Sequence, residues 1–253
     1  PASIEPVYNQ FLKCLEDYTL NGISLLESRG GYIELPAYEP ASAYSPFSSE
    51  LNFLGLEIPY WFYYTSNNIA KERVPKLDDM QSQLSNFIRD RISSCNLDNF
   101  QREGFLIYFG EPKSSVDIKE NIVEVFLDMP IGISREDDSA IVSNHKVSLN
   151  SELGLLYGDA KKVFNKEMKD LFLENYAIDN LRLYAPVDGV EVSCSPKIWN
   201  ADEVFSNLSD AIELNTIYLR GSGGDYSLSK DDNKYFVVDL DINRDVRFQH
   251  FSG

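Results

Sequence analysis

The chain has 253 residues, of which 43% are hydrophobic and 25% are charged, as in ordinary globular proteins. Forty Asp and Glu residues against 23 Lys and Arg residues give a formal net charge of −17. This charge disfavours binding to nucleic acid or to anionic lipid, because both are negatively charged themselves. With only two histidines, few positions remain for a histidine-based metal centre or a Ser/His/Asp triad.

The first predicted element is a long amphipathic helix over residues 3–28. Its apolar residues recur every three or four positions and therefore share one helical face; they are Ile4, Val7, Tyr8, Phe11, Leu15 and Tyr18. Gly30 and Gly31 follow, and glycine readily adopts the positive φ angles that end a helix. Residues 32–35 predict a short strand, and residues 36–50, which contain three prolines, predict an extended loop.

The strongest strand signal lies at residues 58–65, which include five consecutive aromatic residues. Pro59 cannot donate a ladder hydrogen bond, so this strand should lie at a sheet edge or begin there. Alternate residues of a strand share a face, and Trp61 and Tyr63 are therefore candidates for stacking against a sugar ring. The favoured alternative is that the aromatic residues fill the core and pack under the proline-containing loop.

A second amphipathic helix is predicted after Pro75, because proline is favoured in the first turn of a helix. Its apolar residues again share one face; they are Met80, Leu84, Phe87, Ile88 and Ile92. Short alternating runs then predict an antiparallel meander; they are residues 105–109, 116–118, 122–127 and 140–149. A third long helix is predicted over residues 151–173.

Beyond that helix, residues 189–193 and 235–240 predict strands, and Asn200 predicts the cap of a further helix. Helices and strands interleave without strict βαβ alternation. The predicted fold class is therefore α+β, with a mostly antiparallel sheet and three to four amphipathic helices. Two domain organisations fit: one domain, or a division near residue 110 into α+β regions 1–110 and 111–253.

No catalytic motif occurs: the chain contains no Gly-rich phosphate loop, HExxH, CxxC or GxSxG sequence. Asp239, Asp241 and Asn243 place oxygens at alternate positions, as a calcium loop does, but the glycine and the glutamate that complete such a loop are missing. We therefore predict no metal site and no cofactor, with a site at these three residues as the weaker alternative. His145 lies among polar residues of a predicted strand and is expected to be exposed.

The three cysteines, Cys14, Cys95 and Cys194, leave two interpretations open. In an oxidising compartment any one of three pairings could form a disulfide, with one thiol left over. In a reducing compartment all three would act as small buried hydrophobic residues. The spacing of the cysteines does not decide between these interpretations.

Several short sequence segments, spread along nearly the whole chain, carry a resemblance to a known family. They are Cys14-Leu15, Arg29-Gly30-Gly31-Tyr32-Ile33, Glu57-Ile58-Pro59-Tyr60-Trp61, the helix that ends at Cys95, Asp188-Gly189-Val190, Ser193-Cys194-Ser195-Pro196-Lys197-Ile198-Trp199 and Lys234-Tyr235-Phe236-Val237-Val238-Asp239. In this order they resemble an uncharacterised family of archaeal, membrane-anchored, exported proteins from small-genome lineages.

The resemblance implies an extracellular chain at the cell surface, held by an N-terminal membrane anchor that precedes the given sequence. An oxidising exterior favours a disulfide. With that location, Cys14–Cys95 is the preferred pair, because a cysteine midway along the first helix and one at the end of the second can meet where two helices pack. The family brings no assigned activity with it, and Cys194 has no predicted role.

The leading functional hypothesis is a non-enzymatic interaction or assembly module at the cell surface. Its expected partners are proteins or glycans, with no nucleic acid, and self-assembly is compatible with this role. The alternative hypothesis is a carbohydrate-binding or carbohydrate-hydrolysing protein that uses the aromatic run from Tyr60 to Tyr64.

Overall fold

The computed structural model describes residues 4–43, 46–53, 55–136 and 138–171, together with residues 175 and 206. The chain divides into two units, one with the described residues up to Tyr157 and one with those from Gly158 onward. The described helices are α1 (Glu5–Ser28), α2 (Leu77–Ile92), α3 (Asp98–Arg102) and α4 (Leu153–Asp170). The described strands are β1 (Glu50–Phe53), β2 (Leu56–Pro59), β3 (Phe62–Tyr64), β4 (Ala70–Glu72), β5 (Leu106–Phe109), β6 (Lys113–Ile118), β7 (Ile122–Arg135) and β8 (Asp138–Asn150). Every strand pair among them is antiparallel, which confirms the predicted α+β class.

Helix α1 forms as its apolar periodicity predicts and ends at the two glycines. Its buried residues share one face, and they include Val7, Phe11, Leu15, Ile23 and Leu26. Beyond the last turn, the Gly31 N–H donates to the Leu26 carbonyl at 2.7 Å, and Gly30 and Gly31 have φ angles of 62° and 95°. A side chain at Gly31 would also come within 2.6 Å of Pro75 Cγ. The backbone conformation and the lack of space for a side chain therefore both require glycine at position 31.

Helices α1 and α2 pack against each other and are joined covalently. All five predicted core residues of α2 are buried. Where the helices approach, a methyl group at Gly22 of α1 would overlap the Leu84 side chain of α2. A disulfide connects Cys14 of α1 with Cys95, just beyond α2, with a Cα–Cα distance of 5.8 Å. The preferred cysteine pair is thereby confirmed.

Strands β5 to β8 form a four-stranded antiparallel sheet with β7 at its centre. Strand β8 pairs with one edge of β7 along its whole length, from Ile122↔Asn150 to Arg135↔Asp138. Strands β5 and β6 lie in line along the other edge of β7. The predicted meander is confirmed for β6, β7 and β8, but β5 pairs with β7 and not with β6. Residues 128–130, which lie between the predicted strands 122–127 and 140–149, belong to β7.

Pro130 explains why β7 continues through this point with an irregularity. Proline has no N–H to give to the ladder, and the register between β7 and β8 shifts between Asp128 and Ile131. On the other edge the Gly110 N–H donates to the Pro130 carbonyl at 2.7 Å, in the gap between β5 and β6. A bulge thus accommodates the proline inside a long strand.

The two faces of the sheet have different environments. Alternate residues of β7 form the inner face and are buried in one core with α1 and α2; they are Val123, Val125, Leu127, Met129, Ile131 and Ile133.

The free edge of β6 is capped by side chains of α2. Gln81 accepts from the Ile118 N–H at 2.9 Å, and the Ser85 hydroxyl donates to the Ser114 carbonyl at 2.8 Å.

Two strand predictions in the N-terminal part are wrong. Residues 32–35 form no strand, because the N–H groups of Ile33 and Glu34 both donate to the Gln83 side chain of α2 at 2.9 Å. Residues 58–65 are not one strand, because β2 pairs with β1 and β3 pairs with β4. Local β propensity does not reveal that the chain changes its pairing partner between them.

Helix α4 agrees with the predicted third long helix. The predicted division near residue 110 falls in the gap between β5 and β6, which share one edge of β7, and it stays a prediction. The predicted strands at 189–193 and 235–240, and the helix capped by Asn200, lie outside the described residues.

Candidate functional site

The outer face of the four-stranded sheet, which points away from the core, carries large apolar side chains exposed to solvent. Leu106 and Tyr108 of β5 are 74% and 70% exposed, and Ile141 of β8 is 77% exposed. All three lie near the hairpin that joins β7 to β8. Clusters of large exposed apolar side chains mark interaction sites, because contact between apolar area and water is unfavourable.

A glycine in the central strand turns this region into a groove. Tyr108, Gly132 and Ile141 are direct neighbours across β5, β7 and β8, and Gly132 contributes no side chain between the other two. We call the surface formed by Leu106, Tyr108, Gly132 and Ile141 the apolar groove. It is open and has a volume of about 520 Å³.

The chemistry of the apolar groove suits contact with another apolar surface. Ser134 and Ser139 lie beside Leu106 in the next row of the sheet, and Gln101 and Phe105 complete one wall. None of the described residues that line the groove is charged. It therefore offers no acid, base or cation for catalysis, but it offers apolar area and a few hydroxyl and amide groups.

The other half of the outer face is charged. Glu124 of β7 accepts hydrogen bonds from Lys119 and from Lys146, the latter at 2.6 Å. These two bonds lower the pKa of Glu124 to about 2. The Lys146 ammonium also lies 4.8 Å from the centre of the Phe126 ring. These groups satisfy one another, and the outer face thus has a polar half beside the apolar groove.

The predicted stacking residues Trp61 and Tyr63 have structural contacts. The Trp61 indole N–H donates to the Gly30 carbonyl at 2.8 Å, and its ring packs edge-on against Tyr157. Tyr63 is only 4% exposed, and its hydroxyl donates to Glu39 at 2.8 Å. Burial and this hydrogen bond raise the pKa of Tyr63 to about 12. Trp61 and Tyr63 thus pack against the protein, with little of Tyr63 left for a ligand.

Glu39 anchors the proline-containing loop to the β3–β4 hairpin. One carboxylate oxygen of Glu39 accepts from the Tyr63 hydroxyl, from Lys71 at 2.7 Å and from Arg73 at 2.9 Å. The hydrogen bonds from Lys71 and Tyr63 lower the pKa of Glu39. The Glu39 carbonyl also accepts from the Ser49 N–H at 2.9 Å, which closes the loop. This carboxylate is engaged in holding structure.

The remaining residues of the aromatic run point in different directions. Tyr60 is half-buried, and burial raises its pKa. Tyr64 is 48% exposed and lies edge-on to Phe62, with ring centres 5.3 Å apart. The break in the strand at Tyr60 and Trp61 separates β2 from β3, and the aromatic run is therefore not one continuous flat platform.

The expectation that His145 is exposed is wrong: this side chain is 3% exposed and lies on the inner face. Its Nε2 atom is 2.8 Å from the Met129 carbonyl, which only accepts, so Nε2 carries the proton. The Tyr8 hydroxyl donates to Nδ1 at 3.1 Å. Burial lowers the pKa of His145, and the neutral imidazole joins α1 to the sheet.

The alternative metal site at Asp239, Asp241 and Asn243 lies outside the described residues. Within them, no group of three or more His, Cys, Asp or Glu side chains is placed to hold a metal ion. None of the described helices has the length and apolar character that crossing a bilayer requires.

No protein-family model, functionally described protein or solved structure matches the chain. The resemblance to the archaeal family therefore rests on the short sequence segments alone.

The residues of the apolar groove were not predicted as a site. A signal for them exists in the sequence, because residues 105–109 are apolar or aromatic at every position. A strand directs alternate side chains to opposite faces, so such a run must present apolar groups on both faces. Sequence alone does not show which of the two faces other elements cover.

Proposed function

We propose that the chain is a non-enzymatic extracellular interaction module that binds another protein through the apolar groove. One observation carries this proposal: three large apolar side chains, each at least 70% exposed, surround a glycine on the outer face of the sheet. On the opposite face of the same strands, Ile131 and Ile133 are buried, and Ile107 and Phe109 are partly buried against the core. A paired sheet on a closed core presents these side chains with little entropy to lose on binding.

The extracellular location is supported by the Cys14–Cys95 disulfide, which is compatible with an oxidising environment. The cell-surface position and the N-terminal membrane anchor are part of the proposal and rest on the family resemblance. The acidic composition, with a net charge of −17, favours partners other than nucleic acid.

A protein partner fits the groove better than a glycan does. Sugar-binding sites combine an aromatic face with several hydrogen-bonding groups. The groove has one exposed aromatic ring, Tyr108, since Phe105 in its wall is only 5% exposed. The predicted stacking residue Tyr63 is buried. We therefore propose a protein partner for the groove. The experiment below distinguishes binding to a protein from binding to a glycan.

The test is binding of the labelled, purified chain to envelopes of the source cells. The double variant Tyr108→Ser/Ile141→Ser removes the apolar walls of the groove and keeps the backbone. Burial of such side chains contributes about 1.5 to 3 kcal/mol each, so binding should weaken by at least about tenfold. Phe126→Ser is the matched control, because Phe126 is also an exposed aromatic residue of the outer face, but in its charged half.

Treatment of the envelopes before binding identifies the class of partner. Protease treatment should abolish binding, and glycosidase treatment should leave it unchanged. If the groove variant binds as well as the unsubstituted chain, the groove is not the interaction surface. If glycosidase alone abolishes binding, the partner is a glycan and the assignment to a protein is incorrect.

A further inference from the structure

Strand β8 has one paired and one open edge. It is 13 residues long, and β7 pairs with it from end to end. Among the described residues no strand lies along its other edge. The opposite border of the sheet differs, since Gln81 and Ser85 of α2 cap the backbone of β6.

The hairpin geometry shows which backbone groups of β8 face outward. Arg135 and Asp138 close a two-residue turn, and the closing pair of such a hairpin is hydrogen-bonded. Bonded and non-bonded pairs alternate along an antiparallel ladder. Ser139 and Ile141 are therefore non-bonded positions with respect to β7, and their N–H and C=O groups point to the open edge.

Between Asp138 and Lys146 the open edge lacks two usual protections against pairing, proline and charge. Natural edge strands are commonly short or are interrupted by proline and charged residues. Residues 139–145 contain no proline, no glycine, and no Asp, Glu, Lys or Arg. The most exposed apolar side chain of the outer face, Ile141, lies within this stretch.

We propose that the open edge of β8 pairs with the same edge of a second copy of the chain, antiparallel, about a two-fold axis at Ile141. Two copies of one edge satisfy each other in this arrangement because an isologous interface needs only one surface. Ile141 then lies opposite Ile141 of the second copy, and the two sheets become continuous.

The charges along β8 permit a second copy in this register. Counting outward from Ile141, the paired stretch runs from Asp138 to Asn144, because the hairpin turn precedes Asp138. Asp138 meets the uncharged Asn144, and Ser139 meets Ser143. No like charges are opposed, although each chain carries a net charge of −17. The inference goes beyond the proposed function, because its hydrogen bonds come from the backbone edge of β8, although Ile141 belongs to both surfaces.

The first test is sedimentation equilibrium of the full chain and of variants at the open edge. Ser139→Pro removes an outward N–H without removing a bond to β7, since proline is tolerated at such a position of an edge strand. Ser139→Ala keeps the N–H and is the matched control. The full chain and Ser139→Ala should dimerise alike, and Ser139→Pro should raise the dimer dissociation constant at least tenfold. The denaturation midpoint of each variant confirms that it is folded.

The second test fixes the register. Ile141→Cys should form an intermolecular disulfide in the dimer, because paired Cα atoms of an antiparallel ladder lie about 5.5 Å apart, within disulfide range. Ser148→Cys should not, because residues seven positions from the axis lie about 46 Å from their counterparts at about 3.3 Å per residue. Both variants carry Cys194→Ser to remove the third cysteine.

Three results would overturn the inference: a monomeric full chain at millimolar concentration, a Ser139→Pro variant that dimerises like Ser139→Ala, or equal crosslinking at positions 141 and 148. A dimer that Tyr108→Ser disrupts and Ser139→Pro does not would assign self-association to the groove. Any of these results leaves the envelope-binding test of the proposed function to be judged by itself.

Discussion

Reduction of the Cys14–Cys95 disulfide is expected to lower the free energy of unfolding by about 4.5 kcal/mol. The two cysteines are separated by 81 positions in the sequence. In the chain-entropy model, a crosslink over such a loop removes about 15 cal/mol/K of entropy from the unfolded chain, which corresponds to this free energy at about 25 °C. Stability is gained because the linked chain has fewer unfolded conformations.

The assay is guanidinium unfolding of the oxidised chain and of the chain kept reduced with a phosphine. The double variant Cys14→Ala/Cys95→Ala should resemble the reduced chain, with a further small loss because Cys95 is buried and packed in the core. Cys194→Ser is the control for reduction of the third cysteine and should keep the full difference between the oxidised and reduced states.

A difference below about 1 kcal/mol would contradict this reasoning, since even a loop of about 15 residues is expected to give about 3 kcal/mol. Free thiols at Cys14 and Cys95 in the chain purified from its source cells would be more serious. That finding would remove the structural support for an oxidising compartment.

Two further predictions concern the contact of α4 with the sheet and the buried histidine. Gly154→Ala should destabilise the chain by about 1 to 3 kcal/mol, because a methyl group there would overlap the Lys119 carbonyl group. Gly158→Ala should be neutral or stabilising by up to about 1 kcal/mol, because no atom of the described residues lies within 4 Å of the added methyl group. Chemical denaturation of both variants compares them, and equal effects would contradict the close contact at Gly154. Burial lowers the pKa of His145 from its usual 6.5, so the unfolded chain takes up the proton first, and stability should fall as the pH drops below about 6.5. His145→Gln should remove that part of the pH dependence in denaturation curves, and an unchanged slope would show that another group causes it.

The helices illustrate what local sequence predicts well. Residues 3–28 were predicted and α1 spans Glu5–Ser28, with Gly30 and Gly31 ending it. The five apolar residues predicted for the buried face of α2 are all buried. A helix closes its hydrogen bonds within itself, so periodicity and end signals within one segment determine it.

The strands near the aromatic run illustrate where local signals fail. A strand needs a partner from elsewhere in the chain, and β2 and β3 find different partners on either side of Tyr60 and Trp61. For His145 the signal was available, because Val147 and Leu149 lie two and four positions further on and point to the same inner face. The polar neighbours of His145 suggested exposure, whereas the period of the strand placed it inside.

By itself, the sequence determined the acidic, globular character of the chain, the faces and ends of the helices, and the antiparallel hairpins of β6, β7 and β8. Only the tertiary structure decided which face of the sheet α1 and α2 cover, and hence that Leu106, Tyr108 and Ile141 form an exposed groove. It also brought Cys14 to Cys95 and left the edge of β8 open among the described residues. The reason is physical: periodicity is a property of one segment, whereas burial and edge pairing depend on which distant segments meet.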